Sequence, residues 1–124
     1  VSVLAVLLLC RMFQTEASLV NSLLPKSVTT AIAVSISESA GGLPGLTAAS
    51  VCVTGIEGAM LAPLFAKLFH VTDPVAEGVA IGACSHAVGT SKALEIGPLQ
   101  GAMSSIALCV CGIITSVLAM FFTV

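Results

Sequence analysis

The apolar positions of this chain run in long blocks instead of alternating with polar ones. A helix needs about 20 residues to cross roughly 30 Å of hydrocarbon. Two segments reach that length. Leu46–Phe69 follows the turn Gly41-Gly42-Leu43-Pro44-Gly45, and Leu99–Val124 follows Gly97-Pro98. Gly and Pro ahead of each provide the loop punctuation expected before a helix. The uncharged run Ile96–Val124 is the clearest spanning signal. Val1–Phe13 reads as the tail of a further transmembrane helix. It has no basic residue ahead of its apolar run, so it does not fit a signal peptide. With no initiator Met, the sequence is expected to start mid-protein, with N-terminal helices missing.

Two segments are of another kind. Leu24–Ser39 and Pro74–Gly97 are apolar enough to enter a membrane, yet both carry Thr, Ser, Gly and single charges. They predict broken or re-entrant helices. Irregular backbone at membrane depth is tolerated only against protein or a water-filled cavity, so such segments point to a substrate path. A shift of 57 residues brings Glu38 onto Glu95, Cys52 onto Cys109, Gly55 onto Gly112, Leu61-Ala62 onto Leu118-Ala119 and Phe65 onto Phe122. The expected architecture is an all-α integral membrane protein. It is a multi-pass helical bundle with broken or re-entrant helices and a two-unit internal repeat, forming one transmembrane domain over residues 1–124. If the broken segments turn back, the two units have opposite topology; if they cross, the units are parallel.

Composition strengthens the membrane reading. The chain is 57% hydrophobic and 8% charged, where ordinary soluble domains carry roughly 25% charged residues. It has no Trp and no Tyr, so no aromatic belt marks the span ends. Four basic and six acidic residues give a net charge of −2, with no basic patch for nucleic acid. Arg11, Lys26, Lys67 and Lys92 do not cluster, which leaves orientation unassigned. The five cysteines form no CxxC pair and no zinc spacing with His. They read as small apolar residues, and no metal site is expected. Gly41-Gly42 is not followed by Lys-Ser/Thr at phosphate-loop spacing, and no hydrolase or dinucleotide motif is present. Neither an enzyme nor a cofactor is expected.

The densest polar cluster is Ser85-His86-Ala87-Val88-Gly89-Thr90-Ser91-Lys92. Gly89 allows a bend that exposes backbone groups to water or a ligand. His86 can donate, accept or protonate near neutral pH, and Lys92 offers a positive charge for an anion. A helix N-terminus near Thr90 would add backbone donors for a carboxylate. The plainer alternative is a polar kink whose groups satisfy one another. Lys26-Ser27-Val28-Thr29-Thr30 occupies a similar place in the first unit, with Pro25 suited to a first helical turn. Its hydroxyls either bind substrate or bond back to helix carbonyls. Glu57 lies near the middle of the first full span, where an ionised carboxylate needs a partner, an aqueous cavity or protonation. Gly55, Gly58 and Ala59, and likewise Gly101 to Ser105, suit close helix packing. Asp73-Pro74 reads as an N-cap with Pro at the first helical position. Glu38 and Glu95 either pair with Lys26 and Lys92 or sit in water.

Taken in order, Pro25-Lys26-Ser27-Val28-Thr29-Thr30, Thr54-Gly55, Asp73-Pro74-Val75-Ala76, Ser85-His86-Ala87-Val88-Gly89-Thr90, Ala93-Leu94-Glu95 and Gly101-Ala102-Met103-Ser104-Ser105 resemble the LrgB family of bacterial membrane proteins. The resemblance covers nearly the whole chain and corresponds to the C-terminal part of a member. It implies a plasma-membrane protein that regulates murein hydrolase export and autolysis in an antiholin-like way, with a small LrgA-type membrane partner. Relatives move small carboxylates: pyruvate in bacteria, glycolate and glycerate in plastids. Lys92 stands where a basic residue, often Arg, is usual. Glu77 replaces a usual basic residue, and Glu57 a usual apolar one. The leading expectation is transport of a small organic monocarboxylate bound by Lys26, Thr29, Thr30, Ser85, His86, Gly89, Thr90 and Lys92. The alternative is the antiholin-like regulator. Expected partners are the lipid bilayer, an LrgA-type protein and a small organic anion, with homo-oligomerisation left open.

Overall fold

The computed structural model describes residues 2–122. The outermost positions of two predicted spans, Val1 and residues 123–124, lie outside this part. The described residues form α1 (Ser2–Met12), α2 (Ala17–Leu23), α3 (Thr30–Ser39), α4 (Pro44–Leu68), α5 (Pro74–Ile96) and α6 (Pro98–Phe122).

The two predicted full spans are α4 and α6, each 25 residues long, or about 37 Å at 1.5 Å per residue. Both are long and apolar enough to cross a membrane. Only 11% of the most apolar stretch of α4 is buried, and 28% of that of α6. In a water-soluble protein, a helix apolar on all sides belongs in the core. Here Met60, Leu64, Ile113, Met120 and Phe121 stand out from the surface. That arrangement is stable where the surrounding medium is hydrocarbon.

The broken segments follow the 57-residue shift closely. The α2–α3 pair runs from Ala17 to Ser39 and α5 from Pro74 to Ile96, so both ends differ by 57 positions. Acidic residues stand at the N-cap of both, Glu16 and Asp73. The first stretch is interrupted over residues 24–29 and the second at His86, which corresponds to Thr29. Thr29 is extended, at φ −60 and ψ 149. Its counterpart His86 departs from the helix at φ 43 and ψ −137. The long helices then start at Pro44 and Pro98.

One detail of the first break differs from expectation. Pro25 lies in the turn between α2 and α3, not in a first helical turn. Lacking an N–H, and with its ring against the preceding turn, it ends α2. The polar run from Lys26 to Thr29 is therefore the break itself, and α3 opens at Thr30.

The chain divides into two compact units. One is Val53–Cys111; the other comprises the described residues on either side of it. In the latter, Val3, Leu24 and Ala119 form one apolar cluster, and Val28, Ala33 and Val51 another. A buried hydroxyl network joins α2, α3 and α4. The Thr47 hydroxyl lies 2.9 Å from the Ser22 carbonyl oxygen and 2.8 Å from the Ser37 hydroxyl. The Leu43 N–H donates to Ser22 Oγ at 2.7 Å. Gly42 completes this site, because a Cβ there would overlap Ser37 Oγ.

In the unit Val53–Cys111 the helices meet through small residues, as the sequence indicated. Gly55 and Gly58 of α4 face Val88 and Ser85 of α5. Gly78 and Gly82 of α5 sit against the backbone of Gln100 and Ser104 in α6. Without side chains between them the backbones approach closely, which is how helices associate where no water drives them together.

Candidate functional site

Helix α5 starts as its sequence predicts. The Asp73 carboxylate accepts a hydrogen bond from the Val75 N–H at 3.0 Å, with Pro74 in the first turn. The cap satisfies one of the orphan donors of the helix start, and Pro has no donor to leave unsatisfied. At His86 the backbone turns into the left-handed region. For a residue with a Cβ such a conformation costs on the order of 1–3 kcal/mol, and surrounding structure must hold it.

That support is visible. Thr90 Oγ1 donates to the His86 carbonyl oxygen at 2.8 Å, one turn on. Ser104 Oγ of α6 lies 2.9 Å from the same Thr90 hydroxyl. With Thr90 donating to His86, Ser104 is the donor in that second bond. Gly89 packs against the Ser85 side chain. Ser85, His86, Gly89 and Thr90 are all buried. Ser85 is fully so, and its hydroxyl makes no hydrogen bond among the described residues.

A cavity of about 500 Å³ lies beside this break, between α4 and α5. Its wall includes Leu61, Phe65, Phe69 and Ala80, with Glu77 and Ser85 as its polar members. Chemically, the break offers a buried hydroxyl, an imidazole and the start of the second half of α5. The macrodipole makes a helix start favourable for an anion.

The structure brings together Ser85, His86, Gly89 and Thr90. Lys92 lies apart from them: its Nζ is 2.7 Å from a carboxylate oxygen of Glu95, and its side chain is 43% exposed. Lys26, Thr29 and Thr30 belong to the other unit, the first two in the α2–α3 connection and Thr30 opening α3. Ser27 Oγ hydrogen bonds to Ser2 Oγ. Glu95 pairs with Lys92 as one of the two expectations held, whereas Glu38 forms no ion pair with Lys26 among the described residues.

The sequence reading assigned Ser104 to packing and missed its hydrogen bond to Thr90. It also missed the Ser22–Ser37–Thr47 network. The repeat held the signal, because Thr47 and Ser104 are 57 positions apart and both put a buried hydroxyl on a neighbouring segment.

With this geometry in view, comparison with known proteins is specific. A profile of the LrgB-like family matches residues 1–124. The antiholin-like protein LrgB of Bacillus cereus (strain B4264) is 39% identical over 121 residues, covering 98% of this chain and 53% of the relative. An uncharacterized protein, YxaC, of Bacillus subtilis (strain 168) is 40% identical over 110 residues, covering 89% of this chain and 48% of the relative. The chain thus spans about half the length of these curated relatives. No solved structure matches it. The chain belongs to the LrgB-like family.

Proposed function

We propose that this LrgB-like chain forms part of a multi-pass plasma-membrane protein that moves a small organic monocarboxylate, of the pyruvate or glycolate kind, past the break in α5. The observation that carries this reading is the buried left-handed turn at His86, flanked by the hydroxyls of Ser85 and Thr90. A buried hydroxyl without a partner is costly unless something hydrogen bonds to it. A carboxylate oxygen would accept from Ser85 Oγ. The His86 ring would add a donor or carry a coupled proton. Thr90 holds the turn through the His86 carbonyl, and Gly89 leaves room for the Ser85 side chain packed against it. Lys92, exposed and paired with Glu95, is placed to attract anions rather than to touch them in the buried cluster. At the first break Thr29 is the counterpart of His86, with Lys26 and Thr30 near it in the chain.

The test is uptake of labelled pyruvate and glycolate into vesicles containing the full-length protein. His86→Ala is expected to abolish uptake while insertion is retained. Undiminished uptake in both His86→Ala and Ser85→Ala overturns the site.

A second reading is favoured by the name of the B. cereus relative, an antiholin-like protein. In it the chain regulates murein hydrolase activity and autolysis with an LrgA-type partner, and the polar segments contact other subunits. Altered lysis with no measurable carboxylate flux would select this reading. Altered lysis that follows flux across the variants would unite the two.

A further inference from the structure

The left-handed turn at His86 takes α5 out of helical geometry, so the direction of its second half against its first has to be held by neighbouring structure. Ser104 of α6 touches both halves. Its backbone lies against Gly82, where a Cβ would overlap the Ser104 carbonyl oxygen. Its hydroxyl lies 2.9 Å from that of Thr90, which in turn bonds to the His86 carbonyl oxygen. Gly82 is four residues before His86 and Thr90 four after it, about one helical turn to either side. Thr47 of α4 does the same at the first break. Its hydroxyl lies 2.9 Å from the Ser22 carbonyl oxygen in α2 and 2.8 Å from the Ser37 hydroxyl in α3. Thr47 and Ser104 are both fully buried, and they are 57 positions apart. Each stands in the first two turns of the long helix that follows its break. Each set of contacts lies within one of the two compact units, so this stretch of chain completes both by itself.

Close approach of α6 to α5 needs only a small residue, and Ala would serve it as well as Ser. A buried hydroxyl is a different choice, because it costs free energy unless it is hydrogen bonded. Once bonded it fixes direction as well as distance. We propose that Thr47 and Ser104 are equivalent positioning residues, one in each repeat, and that each sets the angle between the two halves of the broken segment before it. At the second break that angle decides how the Ser85 hydroxyl, at the end of the first half, stands against the His86 ring and the second half. Ser104 acts through Thr90 and touches no substrate. Its effect on uptake rests on the carboxylate reading, whereas its effect on the angle does not.

The test uses the full-length protein in vesicles, with its native cysteines replaced by Ala and spin labels placed across each break. One pair is Val79→Cys with Ser91→Cys in α5; the other is Ala17→Cys with Ser35→Cys in α2 and α3, all at exposed positions. Pulsed dipolar spectroscopy reads the distance within each pair. Ser104→Ala is expected to shift or broaden the α5 distance and leave the other as it is, and Thr47→Val to do the reverse. Ser104→Ala should also raise the KM for pyruvate uptake about tenfold, the scale of one lost hydrogen bond. Added salt should not reduce that rise, because no charge is involved. Ser104→Thr, the side chain of the other repeat, should restore both distance and KM. Parent-like distances in Ser104→Ala or in Thr47→Val overturn the proposal, as does a Thr variant as impaired as the Ala. A shifted α5 distance with unchanged KM overturns the positioning role. Absence of carboxylate uptake by the parent protein overturns the carboxylate reading alone, and the two distances still decide whether Thr47 and Ser104 set the angles.

Discussion

Gly82 of α5 lies directly against the backbone of Ser104 in α6. A Cβ at residue 82 would stand 2.8 Å from the Ser104 Cα and overlap its carbonyl oxygen. Backbone cannot step aside as a flexible side chain can, so even one methyl group forces the helices apart. Gly82→Ala is expected to destabilise the protein by about 1–3 kcal/mol. Gly45→Ala provides the control, because nothing lies within 4 Å of its added carbon, and it should change stability by no more than about 0.5 kcal/mol. Thermal unfolding of the two variants in the same detergent checks the difference.

Thr47 ties together three segments through one hydroxyl. Thr47→Val keeps the shape but leaves the Ser37 hydroxyl and the Ser22 carbonyl without this bond. The expected loss is about 1–2 kcal/mol, from buried groups left unsatisfied. Thr47→Ser keeps the oxygen and should recover most of it. Equal stability of the Val and Ser variants would count against the network as a structural support.

His86 carries two opposing demands. Its left-handed backbone disfavours any residue with a Cβ, yet the proposed site needs its ring. His86→Gly should therefore remove about 1 kcal/mol of backbone strain and abolish carboxylate uptake together. A variant at least as stable as the parent, correctly inserted and inactive, is the expected outcome. Full activity in His86→Gly would assign the turn to architecture alone.

Lys92 separates attraction from contact. An exposed ion pair contributes about 0–1 kcal/mol, so Lys92→Ala should unfold within about 1 kcal/mol of the parent. If its charge draws anions toward the break, KM should rise severalfold with kcat little changed. The effect should shrink as salt is added, because exposed charges more than about 10 Å apart are screened at 0.1 M ionic strength. A fall in kcat with constant KM would place Lys92 in the buried cluster during turnover.

Much of the architecture was legible along the chain. The runs that became α4 and α6 are long and almost uncharged, and no tertiary contact is needed to make such a stretch helical in hydrocarbon. Asp73-Pro74 announced the start of α5 because a cap is local chemistry. The weak repeat of 57 proved more regular in structure than in letters. Its ends and its breaks coincide even where the residues differ, as Thr29 and His86 do.

What only the tertiary structure decided is which polar residues meet. Lys92 and His86 are neighbours in the polar run, but six residues along a helix with a left-handed turn at one end is enough to separate them. One is buried and the other pairs with Glu95. Ser104 looked like one more small packing residue until α6 was laid on α5, where its hydroxyl reaches Thr90. Sequence determined that two stretches are long and apolar enough to cross a membrane and that two others are interrupted by polar residues, since both follow from local polarity and local backbone chemistry. The partners at those breaks depend on which faces are pressed together. Glycines at 58, 78 and 82 set those contacts by what they lack, and the missing side chain gains its meaning only from the neighbour that fills the space.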